Sequence, residues 1–168
     1  MPNKAKGGYM KSDFNKGFPK KCTLTGKQIE DIEAVLENDL TGIGIRAVLL
    51  ADKAGNIIAK HDEELKYDLC ALAALGSANC MTTDILARSI GEKGFAVCFF
   101  QGKKSCTHFN RVNDEFLLIA VSDGKMPTGL LRVKIEEAVG KMRSVLESLK
   151  DAFLRLSLPV NFAGETGR

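Results

Sequence analysis

This sequence is poor in the groups from which metal centres, disulfide frameworks and membrane spans are built. It holds two histidines in 168 residues, His61 and His108, and its five cysteines (Cys22, Cys70, Cys80, Cys98 and Cys106) form no close Cys-x-x-Cys pair. A zinc or transition-metal site needs clustered Cys, His or carboxylates, so no metal centre is expected. The cysteine count is odd, and Cys70, Cys80 and Cys98 lie in apolar segments. Small buried hydrophobes in a reducing compartment fit that usage better than disulfides do. No apolar run approaches 18 residues, and the N-terminus lacks the apolar region of a signal peptide. A cytoplasmic protein without membrane insertion is expected.

Catalytic constellations are equally scarce. "QGKKS", residues 101–105, offers Gly-Lys-Lys-Ser, but the earlier glycine of a phosphate-binding loop would fall at Val97, inside an expected strand. A hairpin turn is the better reading. Cys106 and His108 share one face of a strand, yet side chains two apart on a strand diverge from contact, and no third group orients them. A thiol–imidazole enzyme is therefore disfavoured. Asp62, Glu63 and Glu64 are expected at the start of the second helix, where carboxylates favour the positive end of the helix dipole. No catalytic residue, cofactor or bound metal is assigned.

What is present suits one soluble domain with extensions. Hydrophobic residues make up 45% and charged ones 27%, and a chain of this length buries enough surface to need no covalent staple. Residues 1–22 carry Lys4, Lys6, Lys11, Lys16, Lys20 and Lys21 against Asp13 alone. They read as a basic N-terminal extension, with the domain over 23–153 and a short tail over 154–168. Lysines interleaved with Tyr9, Phe14 and Phe18 are a possible RNA or anionic-membrane contact. A solvated extension is favoured over nucleic-acid binding.

Patterning gives the elements in order. "TGKQIEDIEAVLENDL" opens with Thr25 and Gln28 at capping-box spacing, and Ile29, Ile32, Leu36 and Leu40 share a helical face. "IRAVLLADKAGNIIAKH" switches to strand period around an Asp52–Gly55 turn, making a hairpin. A second helix is expected over roughly 64–90. The strands "FAVCFFQ", "KSCTHFNRV" and "EFLLIAVSD" follow, the last apolar on both faces as a covered central strand would be. "TGLLRVKIEEAVGKMRSVLESLKDAF" is the last helix, with an apolar stripe at Leu131, Ile135, Ala138, Met142, Val145 or Leu146, and Leu149. Glu137 and Lys141 form an i,i+4 pair there, and Gly140 is expected to mark a close packing contact. The order α-β-β-α-β-β-β-α with short hairpins implies an antiparallel sheet with helices on its faces, an α+β domain.

The second helix is thin. Residues 71–80 are mostly Ala, Gly, Ser and Cys, and Ala71, Ala74, Ser77 and Ala78 would let a partner helix approach closely. Asn79, Asp84 and Arg88 interrupt any membrane reading. "FAVCFFQ" would invite pairing with another chain if it lay on the sheet edge.

Four segments carry a resemblance to a known family. "VLLADKAGNIIAK", "LAALGSANCMTTDILARSIGE", "FFQGKKS" and "GLLRVKIEEA" occur in the order and spacing of the Roadblock / dynein light-chain superfamily, over about residues 25–152. Within it the chain resembles the bacterial MglB-type proteins. The resemblance implies a five-stranded antiparallel sheet with the second helix on one face and the first and last on the other. It also implies a homodimer whose third strands pair and whose second helices lie side by side. Such proteins regulate or scaffold small Ras-like GTPases, the MglB type by arranging the GTPase's own catalytic groups in polarity and motility systems. On this footing Ala74, Ser77, Ala78 and Met81 are assigned to the helix seam, and Phe95, Val97 and Phe99 to the pairing strand. Leu75 and Thr82 are assigned to the GTPase contact. The basic N-terminal extension, the short C-terminal one, and Glu136 and Glu137 depart from the MglB-type pattern, so a scaffold without GTPase activation is the alternative.

Overall fold

The computed structural model describes residues 24–157, with the backbone alone for 148–157. The N-terminal extension over 1–22, Cys22 and the chain after 157 lie outside the described residues. The elements run α1 (Gly26–Leu40), β1 (Ile45–Asp52), β2 (Ile57–Asp62), α2 (Leu69–Ser89), β3 (Val97–Gln101), β4 (Cys106–Arg111), β5 (Phe116–Ser122) and α3 (Thr128–Ser157). The five strands form one antiparallel sheet in the order β2-β1-β5-β4-β3.

Strand alternation divides the core in two. On β1 and β5, Val48, Leu50, Leu118 and Ala120 face α1 and α3, joined by Ile32, Leu36, Ile135 and Met142. The intervening Leu49, Ala51, Leu117 and Ile119 face α2, with Leu69, Ala73 and Phe109. β1 and β5 pair along their length and are apolar on both faces because helices cover both. The expected α+β architecture is the observed one, with α2 on one face and α1 with α3 on the other.

Local chemistry sets the boundaries. The Gln28 N–H donates to the Thr25 hydroxyl at 3.4 Å and the Thr25 N–H donates to Gln28 Oε1 at 2.9 Å, completing the capping box of α1. The Gln28 side-chain amide also donates to the Val145 carbonyl, tying α1 to α3.

Four local expectations are corrected. The second helix begins at Leu69, not near residue 64, with the Asp68 carboxylate accepting from the Ala71 N–H. Ahead of it, Asp62 accepts from the Glu64 and Tyr67 N–H groups, and Leu65 adopts φ 49°, which no helix tolerates. Glu63 and Glu64 therefore do not sit on a helix dipole; they flank Arg46, which also pairs with Asp123 at 2.9 Å. Gly140 has open space where a Cβ would stand, so it marks no close packing among the described residues. Finally, Lys141 reaches Asp39 on α1 at 2.8 Å, while Glu137 pairs with Lys134.

Candidate protein-interaction surface

α2 is small-sided where it meets its own sheet. Ala73 and Ala87 are fully buried. A Cβ at Gly76 would stand 2.5 Å from Ile119 Cδ1 and 3.0 Å from Phe109 Cε1. Glycine is required there because the helix axis lies so close to the sheet. Ser77 is also turned inward, its hydroxyl donating to the Asp52 carbonyl at 2.9 Å. On the same flank of the helix, Gly55 (φ +83°), in the β1–β2 turn that follows Asp52, presses on the backbone of Ala74.

The outer side is apolar and uncovered. Ala74, Ala78, Met81 and Ile85 follow one row at i, i+4, i+7 and i+11; Leu75, Thr82 and Leu86 follow the adjacent row. All seven are exposed, Leu75, Met81 and Ile85 by about two thirds. By length and composition α2 is apolar enough to cross a membrane. Its inner side, however, is packed on the sheet, and Asp84 is paired with Arg111 at 2.6 Å. The free stripe is thus one face of a folded domain, and its few charges leave an apolar surface of the kind that marks an interaction site.

β3 lies at the sheet edge, beyond β4, with its outer backbone groups unpaired among the described residues. Its side chains split between faces. Phe99 meets His108 at a tilt of 51°, ring centroids 4.7 Å apart, on the α3 side of the sheet. Phe100, about half exposed, meets Phe109 edge-on at 5.4 Å on the α2 side. Phe95 precedes the strand, and Val97 opens it partly exposed.

Of the residues singled out in the sequence, Ala74, Ala78 and Met81 thus share the outer face of α2 with Leu75 and Thr82. Ser77, on the flank next to Ala74 and Met81, is turned inward and buried. Val97 and Phe99 point to the α3 side of the sheet, away from α2. Ile85, Leu86 and Phe100 were not singled out. Ile85 and Leu86 were accessible from spacing alone, as they extend the rows begun at Ala74 and Leu75; Phe100 needed the strand register.

The thiol and imidazole candidates, Cys106 and His108, do not engage each other. Neither nitrogen of His108 has a hydrogen-bonding partner, so Cys106, though two residues away, is not engaged. Burial lowers the pKa of His108, and the nearby Arg132 charge adds to this, keeping the ring neutral. Burial raises the pKa of the Cys80 thiol, aided by Cys98 and Asp84 and opposed by Arg111, so it stays protonated. Among the described residues no three His, Cys, Asp or Glu side chains come together to hold a metal.

No family model matches the chain, and no curated protein matches it. Solved structures do. MglB from Myxococcus xanthus is 26% identical, covering 76% of this chain and 96% of its own, at a TM-score of 0.71. The gliding protein MglB from Thermus thermophilus is also 26% identical, covering 78% of this chain and 99% of its own, at 0.71. A Roadblock/LC7 domain from Streptomyces avermitilis shares the fold at 12% identity and a TM-score of 0.55, over 74% of this chain and 98% of its own.

Proposed function

Taking this chain as a Roadblock-superfamily protein of the MglB type, we propose that it is a cytoplasmic homodimeric regulator of a small Ras-like GTPase, in polarity or motility control. One observation carries the reading: a continuous apolar stripe on the outer face of α2, on the same side of the sheet as the exposed Phe100 of an unpaired edge strand. Pairing β3 with its copy would satisfy the open backbone groups and extend the sheet, and the small Ala74 and Ala78 would let the two α2 helices meet at close range. In this arrangement Met81 and Ile85 close the seam. Leu75, Thr82 and Leu86 form the flanking surface on which the GTPase rests.

The protein contributes a surface and no reacting group. Its effect on hydrolysis would come from differential binding: a surface that fits the GTPase's hydrolysis-competent arrangement better than its resting one shifts the population toward it. A surface that fits both equally would only scaffold. Light scattering at micromolar concentration tests the dimer, which should run at twice the 18.2 kDa chain mass; a monomer would overturn it. Capture of a small GTPase from native cytosol, compared under GTP and GDP, tests the partner. Single-turnover hydrolysis then separates activation from scaffolding.

A further inference from the structure

On the face of the sheet away from α2, a second feature belongs to a single chain. A groove of about 150 Å³ runs between α3 and the start of the edge strand, lined in part by Val97, Asn110, Arg132, Glu136, Gly140 and Arg143. Arg132, Glu136, Gly140 and Arg143 lie at i, i+4, i+8 and i+11, so one face of α3 makes its wall. Asn110 on β4 makes its floor.

The hydrogen-bonding inventory is unbalanced. Asn110 is only 7% exposed, and its side-chain Nδ2 has no acceptor among the described residues. Arg132 forms no ion pair among the described residues, and its charge reaches the buried His108 one register position along the same strand face. Arg143 donates through Nε to the Val112 carbonyl at 2.8 Å. That bond fixes the arm and leaves the terminal guanidinium nitrogens without a partner among the described residues. Glu136 is the one carboxylate on the wall, and it forms no ion pair with either arginine. A buried amide donor without an acceptor costs free energy unless something occupies the site. Arg132 and Arg143 stand 11 residues apart on α3, about 16 Å along its axis, one toward each end of the groove, and each guanidinium fork has the geometry that recognises planar or tetrahedral oxyanions. Open space over Gly140 widens the groove at its middle, where any side chain would narrow it.

We propose that this groove binds a small molecule through a carboxylate or phosphate group, held by Arg132 and the Asn110 side-chain amide. Glu136 opposes the ligand's charge and so tempers affinity. The site lies on the opposite side of the sheet from α2, which leaves the α2 stripe free for a protein partner. It rests on one chain, so its failure and that of the dimer or GTPase reading are separately readable.

The test is an NMR titration of the ¹⁵N-labelled full chain with sodium phosphate and, in parallel, sodium acetate, at ionic strength fixed with sodium chloride. The Asn110 side-chain amide is expected to shift saturably with at least one of them. A response to phosphate alone identifies a phosphate ligand, and to acetate alone a carboxylate. Arg132→Gln should weaken binding by about tenfold, the loss of one charge-assisted contact. Glu136→Gln should strengthen it by about threefold or more, as removal of an opposing charge requires. Both positions are exposed, and unchanged thermal melts would verify that the variants fold. A linear, unsaturable drift with either salt would mean that the groove holds only solvent. A saturable shift indifferent to both substitutions would place the anion elsewhere. Either result overturns the proposal.

Discussion

Met81→Glu tests the proposed dimer seam separately from the fold. Met81 is 66% exposed in the single chain. Fully burying such a side chain contributes roughly 1.5–3 kcal/mol, so covering its exposed two thirds in a dimer seam contributes roughly 1–2 kcal/mol per copy. A two-fold axis counts it twice. Losing it alone costs about 2–4 kcal/mol per dimer, a weakening of about 30- to 1000-fold. The introduced carboxylate adds to this, because an unpaired ion removed from water costs several kcal/mol. In the isolated chain the same carboxylate stays solvated. Glutamate is a strong helix former; its new conflicts are with Asp84 three residues on, about 0.2–0.5 kcal/mol, and with Asp114 and Glu115 beside the same hollow, offset by Arg111 and Lys53 there. The expected outcome is a monomer by light scattering at concentrations where the unaltered protein is dimeric, with little change in the dilute-solution melting temperature. Lys60→Glu, a charge change at an exposed β2 position, is the control and should leave association intact. If Met81→Glu associates as tightly as the unaltered chain, the outer face of α2 is not the seam.

Other consequences are local. Gly76→Val places a branched side chain against Ile119 and Phe109, where no room exists. Overpacking should exceed the gain in helix propensity and cost about 1–3 kcal/mol by urea denaturation; unchanged stability would contradict the close helix–sheet approach. Thr25→Ala removes the capping box of α1 and should cost about 1 kcal/mol, read as a lower urea midpoint at constant slope. The His108 ring resists protonation in the folded state, below the ordinary value of 6.5. As pH falls through about 6.5 the unfolded chain therefore takes up a proton first, and stability present above that pH is lost until the buried ring itself protonates. His108→Leu should flatten that part of the stability–pH profile, and an unaltered profile would show that His108 is not its source.

Much of the fold was legible in the sequence because local chemistry and tertiary packing agree. The Thr25–Gln28 spacing caps α1 as expected, and the two-sided apolarity of residues 116–121 matches a central strand covered on both faces. Disagreements arose where a local pattern had a stronger competitor. The acidic run at 62–64 resembles a helix start, yet Asp62 binds the backbone of the following turn and Glu63 and Glu64 answer Arg46, a partner 17 and 18 residues away. Gly140 resembles a packing glycine, but the contact that would need it is absent among the described residues. On α2, composition announced close approach without saying to what. Ser77 and Gly76 belong to the sheet side, Ala74 and Ala78 to the outer side, and only the helix's rotation on the sheet divides them.

The sequence by itself determined which segments are helix and strand, and that α2 had to lie close to something, because periodicity and side-chain volume are local properties. Tertiary structure alone decided three further things. It set β3 at the edge, since strand order depends on how hairpins stack and not on any one strand's composition. It turned Phe99 and Phe100 to opposite faces, since a pleat with period 2 makes that choice depend on register against β4. And it brought Asn110, Arg132 and Arg143 around one groove from a strand and a helix with another strand between them in the chain. Unpaired donors can be recognised only when everything near enough to satisfy them is in place.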